Sequence, residues 1–240
     1  SPLLVRLQQE KQAAMHGGIY HRVQVDLTYT SNHMEGSTLT PEQTRLIFET
    51  ATILPDGQAV HIDDITEAVN HFRAIDAVID SACRPLTLAF IKKLHGILKA
   101  GTADAALDWF CVGDWKMLPN EVGGRSTTPP EDVEGVMATL VDGYEGLEAP
   151  SFDDLLDFHA RFERIHPFQD GNGRVGRLVL FKECLRHGIV PFILGDDLRA
   201  FYYRGLNEWE DERGFLRDTC LTAQDRFKVL LDGFRIPYEG

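Results

Sequence analysis

The sequence predicts an all-α fold: a helical bundle carrying one short β-hairpin. Two observations carry that prediction. Apolar residues recur at three- and four-residue steps through most of the 240 residues, the period of helices with one buried face. The period fails between Gly113 and Thr128, where Gly123-Gly124 separates two short segments as a two-residue hairpin turn would. No internal repeat, low-complexity tract or linker divides the chain.

In order, the periodic segments are Leu3 to Met15, Pro41 to Ile53, Ile65 to Ile79, Leu86 to Leu98, Val133 to Leu147, Phe152 to Ile165 and Phe215 to Phe234. Thr40-Pro41-Glu42-Gln43 opens the second with a capping residue, a first-turn proline and a glutamine placed for a capping box. Pro129-Pro130-Glu131-Asp132 opens the fifth. Ser151-Phe152-Asp153-Asp154 opens the sixth, with acids at the positive end of the helix dipole. Arg174 to Leu185 differs: Val175, Leu178, Val179, Leu180, Phe181 and Leu185 cover most of its circumference, as in a helix at the centre of a bundle. We expect residues 1–60 to form N-terminal helices and 61–240 one globular core with C-terminal helices.

With 43% hydrophobic and 25% charged residues, the chain is not disordered in composition. No apolar run approaches the ~18 residues of a membrane helix, and Ser1 to Glu10 reads as a helix start without a signal-peptide core. A cytoplasmic location and no membrane partner are expected. Cys83, Cys111, Cys184 and Cys220 stand far apart with no Cys-x-x-Cys pair, so reduced thiols in helices are expected rather than a metal or redox centre. A formal net charge of −13 makes the chain a poor polyanion binder and argues against nucleic acid.

The chemistry-bearing residues gather in His166-Pro167-Phe168-Gln169-Asp170-Gly171-Asn172-Gly173-Arg174-Val175-Gly176-Arg177. Gly171-Asn172-Gly173 lies at a helix start, where unpaired N–H groups and the positive dipole end hold anions. Arg174 and Arg177, three apart, can clamp further phosphates. Asp170 offers a hard oxygen to Mg²⁺, and His166 a titratable base. Together they describe a site for a metal-bound polyphosphate beside a proton acceptor. Gly171-x-Gly173-x-x-Gly176 also fits a dinucleotide fingerprint, but that needs a strand before it and Phe152 to Ile165 reads as a helix. Asp170-x-Asn172 resembles the start of a calcium loop, yet Arg174 and Phe181 stand where ligands belong.

The segment resembles the Fic-family signature, His-x-Phe-x-Asp/Glu-Gly-Asn-Gly-Arg-x-x-Arg, at His166, Phe168, Asp170, Gly171, Asn172, Gly173, Arg174 and Arg177. The similarity runs from about Leu86 to Leu231, through Leu94-His95-Gly96-Ile97-Leu98 and the hairpin before Pro129-Pro130. It implies an all-α Fic fold whose hairpin, Gly113 to Thr128, is a flap on which a target protein docks. It further implies transfer of AMP from ATP to a Tyr, Ser or Thr hydroxyl of that target or of the chain itself. His166 would take the proton and Asp170 would hold Mg²⁺. The backbone of Gly171, Asn172 and Gly173 would form the anion hole; Arg174 would bind the outer phosphates and Arg177 the γ-phosphate. Phe168 would anchor the loop from a buried position. Lysine in place of Gly173 would have resembled the phosphate-transferring toxin Doc. By the same resemblance Tyr202, Tyr203 and Asn207 fall near adenine, whereas His159 reads as a packed, hydrogen-bonded histidine.

Ser31-Asn32-His33-Met34-Glu35-Gly36 is similar to the Fic inhibitory pattern Ser/Thr-x-x-x-Glu-Gly/Asn. Ser31 and Glu35 share a helical face, Gly36 ends the helix, and the carboxylate can reach an arginine that ATP would otherwise use. This implies an autoinhibited enzyme. Removal of AMP from a modified target, with Glu35 handling a water, and a non-catalytic nucleotide-binding module are the competing readings. Both a monomer and a homo-oligomer are compatible with the sequence.

Overall fold

The segment that is apolar all round lies at the centre of the molecule. The structure is a computed structural model describing residues 1–54, 57 and 59–238; residues 55, 56, 58, 239 and 240, which the expected segments 1–60 and 61–240 include, lie outside the described residues. In chain order the helices are α1 (Pro2–Gln12), α2 (Ile19–Met34), α3 (Pro41–Thr50), α4 (Ile62–Ser81) and α5 (Leu88–Lys99). Strands β1 (Glu121–Val122) and β2 (Arg125–Ser126) follow, then α6 (Pro130–Glu145), α7 (Phe152–Ile165), α8 (Asn172–His187), α9 (Arg199–Asn207) and α10 (Arg213–Gly233). Helix α8 packs on α7, α4, α5 and α2. Its Val175, Leu178, Val179, Phe181 and Cys184 share one core with Leu7, Ile19, Val23, Ile75, Leu94 and Phe162.

Local chemistry sets the ends. Thr40 and Gln43 form a reciprocal capping box at α3, and Ser151 and Asp154 another at α7. β1 and β2 pair antiparallel around Gly123 and Gly124, whose φ values of 57° and 76° are those of a tight hairpin turn. Helix α1 stops at Gln12 rather than Met15, and α3 at Thr50 rather than Ile53, with Ala14 and Ala51 left-handed beyond them. Thr87 caps α5, so that helix begins at Leu88. Helix α9 goes beyond the expected segments, and α2 carries the helix expected to end at Gly36 back to Ile19. The buried face of α2 includes Gln24, Thr28, Ser31 and Asn32, so it carries no simple apolar stripe; α9 buries only Tyr202 and Gly205. Cys184 and Cys220 are helical and buried as expected, whereas Cys83 and Cys111 lie in turns and loops. Among the described residues no helix is long and apolar enough to cross a membrane.

Candidate active site

Between α7 and α8 the chain reverses within a few residues. Helix α7 ends at His166, whose left-handed backbone (φ 53°, ψ 62°) lets its N–H donate to Phe162 O at 3.0 Å. Phe168 is fully buried and stacks on the His95 ring at 4.0 Å with planes 6° apart. The Asn172 side chain clips the Phe168 backbone, accepting from its N–H and donating to its C=O at 2.8 Å each. Gly171 (φ 83°) supplies the left-handed turn that starts α8. The N–H groups of Asn172, Gly173 and Arg174 therefore stand at the first turn of a buried helix, where an anion is favoured.

His166 flanks this helix start. Its Nδ1 lies 3.3 Å from Glu163 O; with Nδ1 donating there, Nε2 keeps the free lone pair of a base. Burial lowers its pKa below the ordinary value, with the Lys116 ammonium acting in the same direction. Asp170, by contrast, is ionised. Burial pushes its carboxyl up, but Arg174 and Lys99 beside it outweigh burial and hold it at about 2.

Four charges close a ring behind the loop. Asp170 Oδ2 accepts from Lys99 Nζ at 2.8 Å and from Arg174 NH2 at 3.0 Å; Glu67 accepts from Lys99 at 2.7 Å and pairs with Arg174. Arg174 is thus buried and engaged from behind rather than extended toward solvent. Arg177 is engaged as well. Its Nε donates to Ser31 Oγ at 3.0 Å, and its NH2 to Ser31 O at 2.9 Å and Glu35 Oε1 at 2.6 Å.

That last contact is made possible by how α2 ends. Ser37 N–H donates to Asn32 O and Gly36 N–H to His33 O at 3.1 Å each, with Gly36 at φ 100°. Glu35 is the C-cap of this motif, and Arg199 and Tyr203 donate to the Met34 carbonyl at 2.8 and 3.2 Å. A Cβ built on Gly173 would collide with Glu35 Oε1. The glutamate carboxylate therefore lies on the first turn of α8 itself.

The flap is tied to the same loop. Lys116 N–H donates to Pro167 O at 2.9 Å, Asn120 Nδ2 to Phe168 O at 3.1 Å and Leu118 N–H to Gln169 Oε1 at 3.2 Å. His95 joins both: its Nδ1 accepts from Gly113 N–H at 2.9 Å, so its Nε2–H donates to Asp170 O at 3.2 Å. Gly113 approaches Gly96 so closely that a Cβ on it would sit 3.3 Å from the Gly96 Cα.

The expected nucleobase residues divide. Tyr202 is 0% exposed, with its hydroxyl 2.6 Å from His159 Nε2, so it is a core residue and offers no face to a base. The resemblance placed it near adenine, whereas here it packs against His159 of α7. His159 is buried as expected. Tyr203 is half-buried beside the end of α2, and the Asn207 carbonyl accepts from Arg125 on the flap at 3.4 Å. Sequence reasoning missed Glu67, Lys99 and Lys116. Each is a single charged residue outside the motif, set beside apolar neighbours such as Ala68, Leu98 and Met117, and only the fold brings it to the loop.

Residues 85–183, from just before α5 to the last turns of α8, match the Fic/DOC family. This segment is a Fic/DOC-family domain. It is 30% identical over 219 residues to protein adenylyltransferase Fic of Drosophila willistoni, which spans 88% of this chain and 40% of that protein. To protein adenylyltransferase fic-1 of Caenorhabditis briggsae it is 29% identical over 215 residues, 83% of this chain and 38% of that protein. The chain thus spans less than half the length of these curated relatives. A Fic domain containing signaling protein from Bacteroides thetaiotaomicron has the same fold over the whole of both chains, with a TM-score of 0.75 at 24% identity. Fic-1 from Caenorhabditis elegans gives 0.74 over 93% of this chain and 66% of that one, also at 24%.

Proposed function

We propose that this protein is an autoinhibited adenylyltransferase, moving AMP from ATP to a hydroxyl side chain of a protein. The observation that carries the reading is the convergence of a base (His166), an anion-binding helix start (Asn172 to Arg174) and an inhibitory carboxylate (Glu35) on one point. The target hydroxyl loses its proton to His166 Nε2 as its oxygen bonds to the α-phosphorus. The bond from that phosphorus to the β-phosphate bridge breaks, pyrophosphate leaves, and AMP stays on the target. The N–H groups of the Gly171 to Arg174 helix start and the dipole of α8 stabilise the phosphate charge.

The donor set suits Mg²⁺ delivered with the nucleotide. No group of three or more His, Cys, Asp or Glu able to hold a metal occurs among the described residues, and Mg²⁺ commonly uses one or two carboxylates plus substrate phosphates. Asp170 is the residue to hold it, since Oδ2 is engaged while its side chain stays 47% exposed. A bound Mg²⁺ supplies charge stabilisation to the phosphates. The target segment pairs with the flap backbone by strand addition. Four free cysteines support a reducing compartment such as the cytoplasm.

Incubation with α-phosphate-labelled ATP and Mg²⁺, followed by intact-mass measurement, tests this. We expect a gain of one AMP by the protein or an added target when Glu35 is replaced by Gly. No label from any hydroxyl-bearing protein would overturn the reading. The position of Glu35 on the cradle also suits it to hold a water for AMP removal, and release of AMP from a premodified target would reveal that reaction.

A further inference from the structure

We propose that Lys99 is a positioning residue that makes metal entry depend on the nucleotide. The inference rests on the reading of Asp170 as the metal-holding carboxylate. Lys99 is the last residue of α5 and its side chain is 2% exposed, yet its ammonium meets three carboxylates: Glu67 at 2.7 Å, Asp170 at 2.8 Å and Asp104 at 3.1 Å. An ammonium has three donors, and each is spent on a different acid. Arg174 joins on the same Asp170 oxygen and closes the ring through Glu67.

This arrangement does two things. It fixes Asp170 Oδ2 and so holds the carboxylate in one orientation. It also places a permanent cation against a carboxylate group that would otherwise attract divalent ions. A free divalent cation approaching Asp170 must compete with Lys99 and Arg174, which already pair with that carboxylate and with Glu67. A cation carrying a polyphosphate brings its own phosphate ligands and depends less on that one paired carboxylate. Lys99 therefore separates productive metal–nucleotide binding from capture of the bare ion. Its neighbour Glu67 serves the same order by holding Arg174.

Mn²⁺ uptake by the full chain, read from loss of the free-ion paramagnetic resonance signal, tests this without turnover. Without nucleotide, the native chain should leave the signal unchanged, whereas Lys99→Met should bind one Mn²⁺ per chain at least about tenfold more tightly. Lys99→Arg, which keeps the charge, should behave as native; a merely structural role would not separate Met from Arg in this way. Equal uptake by native protein and Lys99→Met, or none by either, overturns the proposal. Should Lys99→Met not fold, Lys99→Met with Asp104→Asn makes the same comparison with one unpaired acid fewer. The underlying reading fails separately: Asp170→Asn would then leave unchanged the protein-bound Mn²⁺·ATP, separated from free Mn²⁺·ATP by ultrafiltration.

Discussion

Replacing Glu35 by Gly should raise AMP labelling by about ten- to a hundredfold. The carboxylate makes a 2.6 Å charge-assisted bond to Arg177, whose side chain is 5% exposed while that of Glu35 is 28% exposed. A hydrogen bond to a charged group contributes roughly 1.5–3 kcal/mol net. At about 1.4 kcal/mol per tenfold, this restrains the open arrangement by one to two orders of magnitude. Glycine removes the carboxylate and leaves α2 in place, since its end is held by backbone bonds at Gly36 and Ser37 and by Arg199 and Tyr203 on Met34. The assay is label incorporated per minute at saturating ATP, with ATP affinity measured in parallel. Arg177→Ala should not mimic the gain, because it removes the clamp with the lock. The double variant should match Arg177→Ala alone, since the two side chains act through one contact. Unchanged labelling in Glu35→Gly, beside an Arg177→Ala that binds ATP normally, would refute the lock.

In the Glu35→Gly background, His166→Ala should lower labelling by roughly 10²–10⁴-fold, and the acid limb of the pH–rate profile should lie below the ordinary 6.5, because burial favours the neutral imidazole; a limb above that value would remove burial as the control. Gly173→Ala should displace Glu35 yet fail to activate, because the new methyl occupies the space the carboxylate left; labelling equal to Glu35→Gly would contradict this. Stability should fall as pH drops from 6.5 toward 5, read as midpoint of denaturant unfolding. His71, His95 (lowered to about 4) and His159 (about 3) are held neutral by burial. Their folded pKa values lie below the unfolded one, so the unfolded chain gains protons first, at up to about 1.4 kcal/mol per pH unit for each. Glu163, raised by burial to about 8 from 4.5, runs the other way across that window, so Glu163→Gln should steepen the fall.

The shape of the His166 to Arg177 loop was readable because its residues are set by local geometry. His166 to Arg177 form one turn and one helix start, and glycine, proline and charge at fixed offsets describe such a unit within a short window. The hairpin was legible for the same reason, through Gly123-Gly124. Of helix α2 only the end around Ser31 to Gly36 was legible; the rest was not, because it packs on α4 and α8 partly through polar contacts: Thr28 meets His71 at 3.0 Å, and Gln24 donates to Phe72 O at 3.3 Å. A periodicity reading depends on apolar residues and passes over such a face. Lys99 and Glu67 escaped because their partners stand 71 and 107 positions away in sequence (170 − 99 and 174 − 67). Tyr202 was misplaced because an aromatic ring looks the same in sequence whether it faces a ligand or the core.

The close backbone approach of Gly96 and Gly113 has a consequence for which hydroxyls can be modified. The base of the flap abuts α5 with no side chain between, and the segment that follows is pinned to Pro167, Phe168 and Gln169. The base of the flap is therefore anchored, and under the proposed docking the guest must follow the line it sets. A hydroxyl inside a stable helix, whose backbone groups are already spent, cannot lie along such an edge. Candidate acceptors should accordingly sit in loops, frayed termini or unfolded stretches of their proteins. Selection would then operate on the local pliability of the substrate as much as on its sequence.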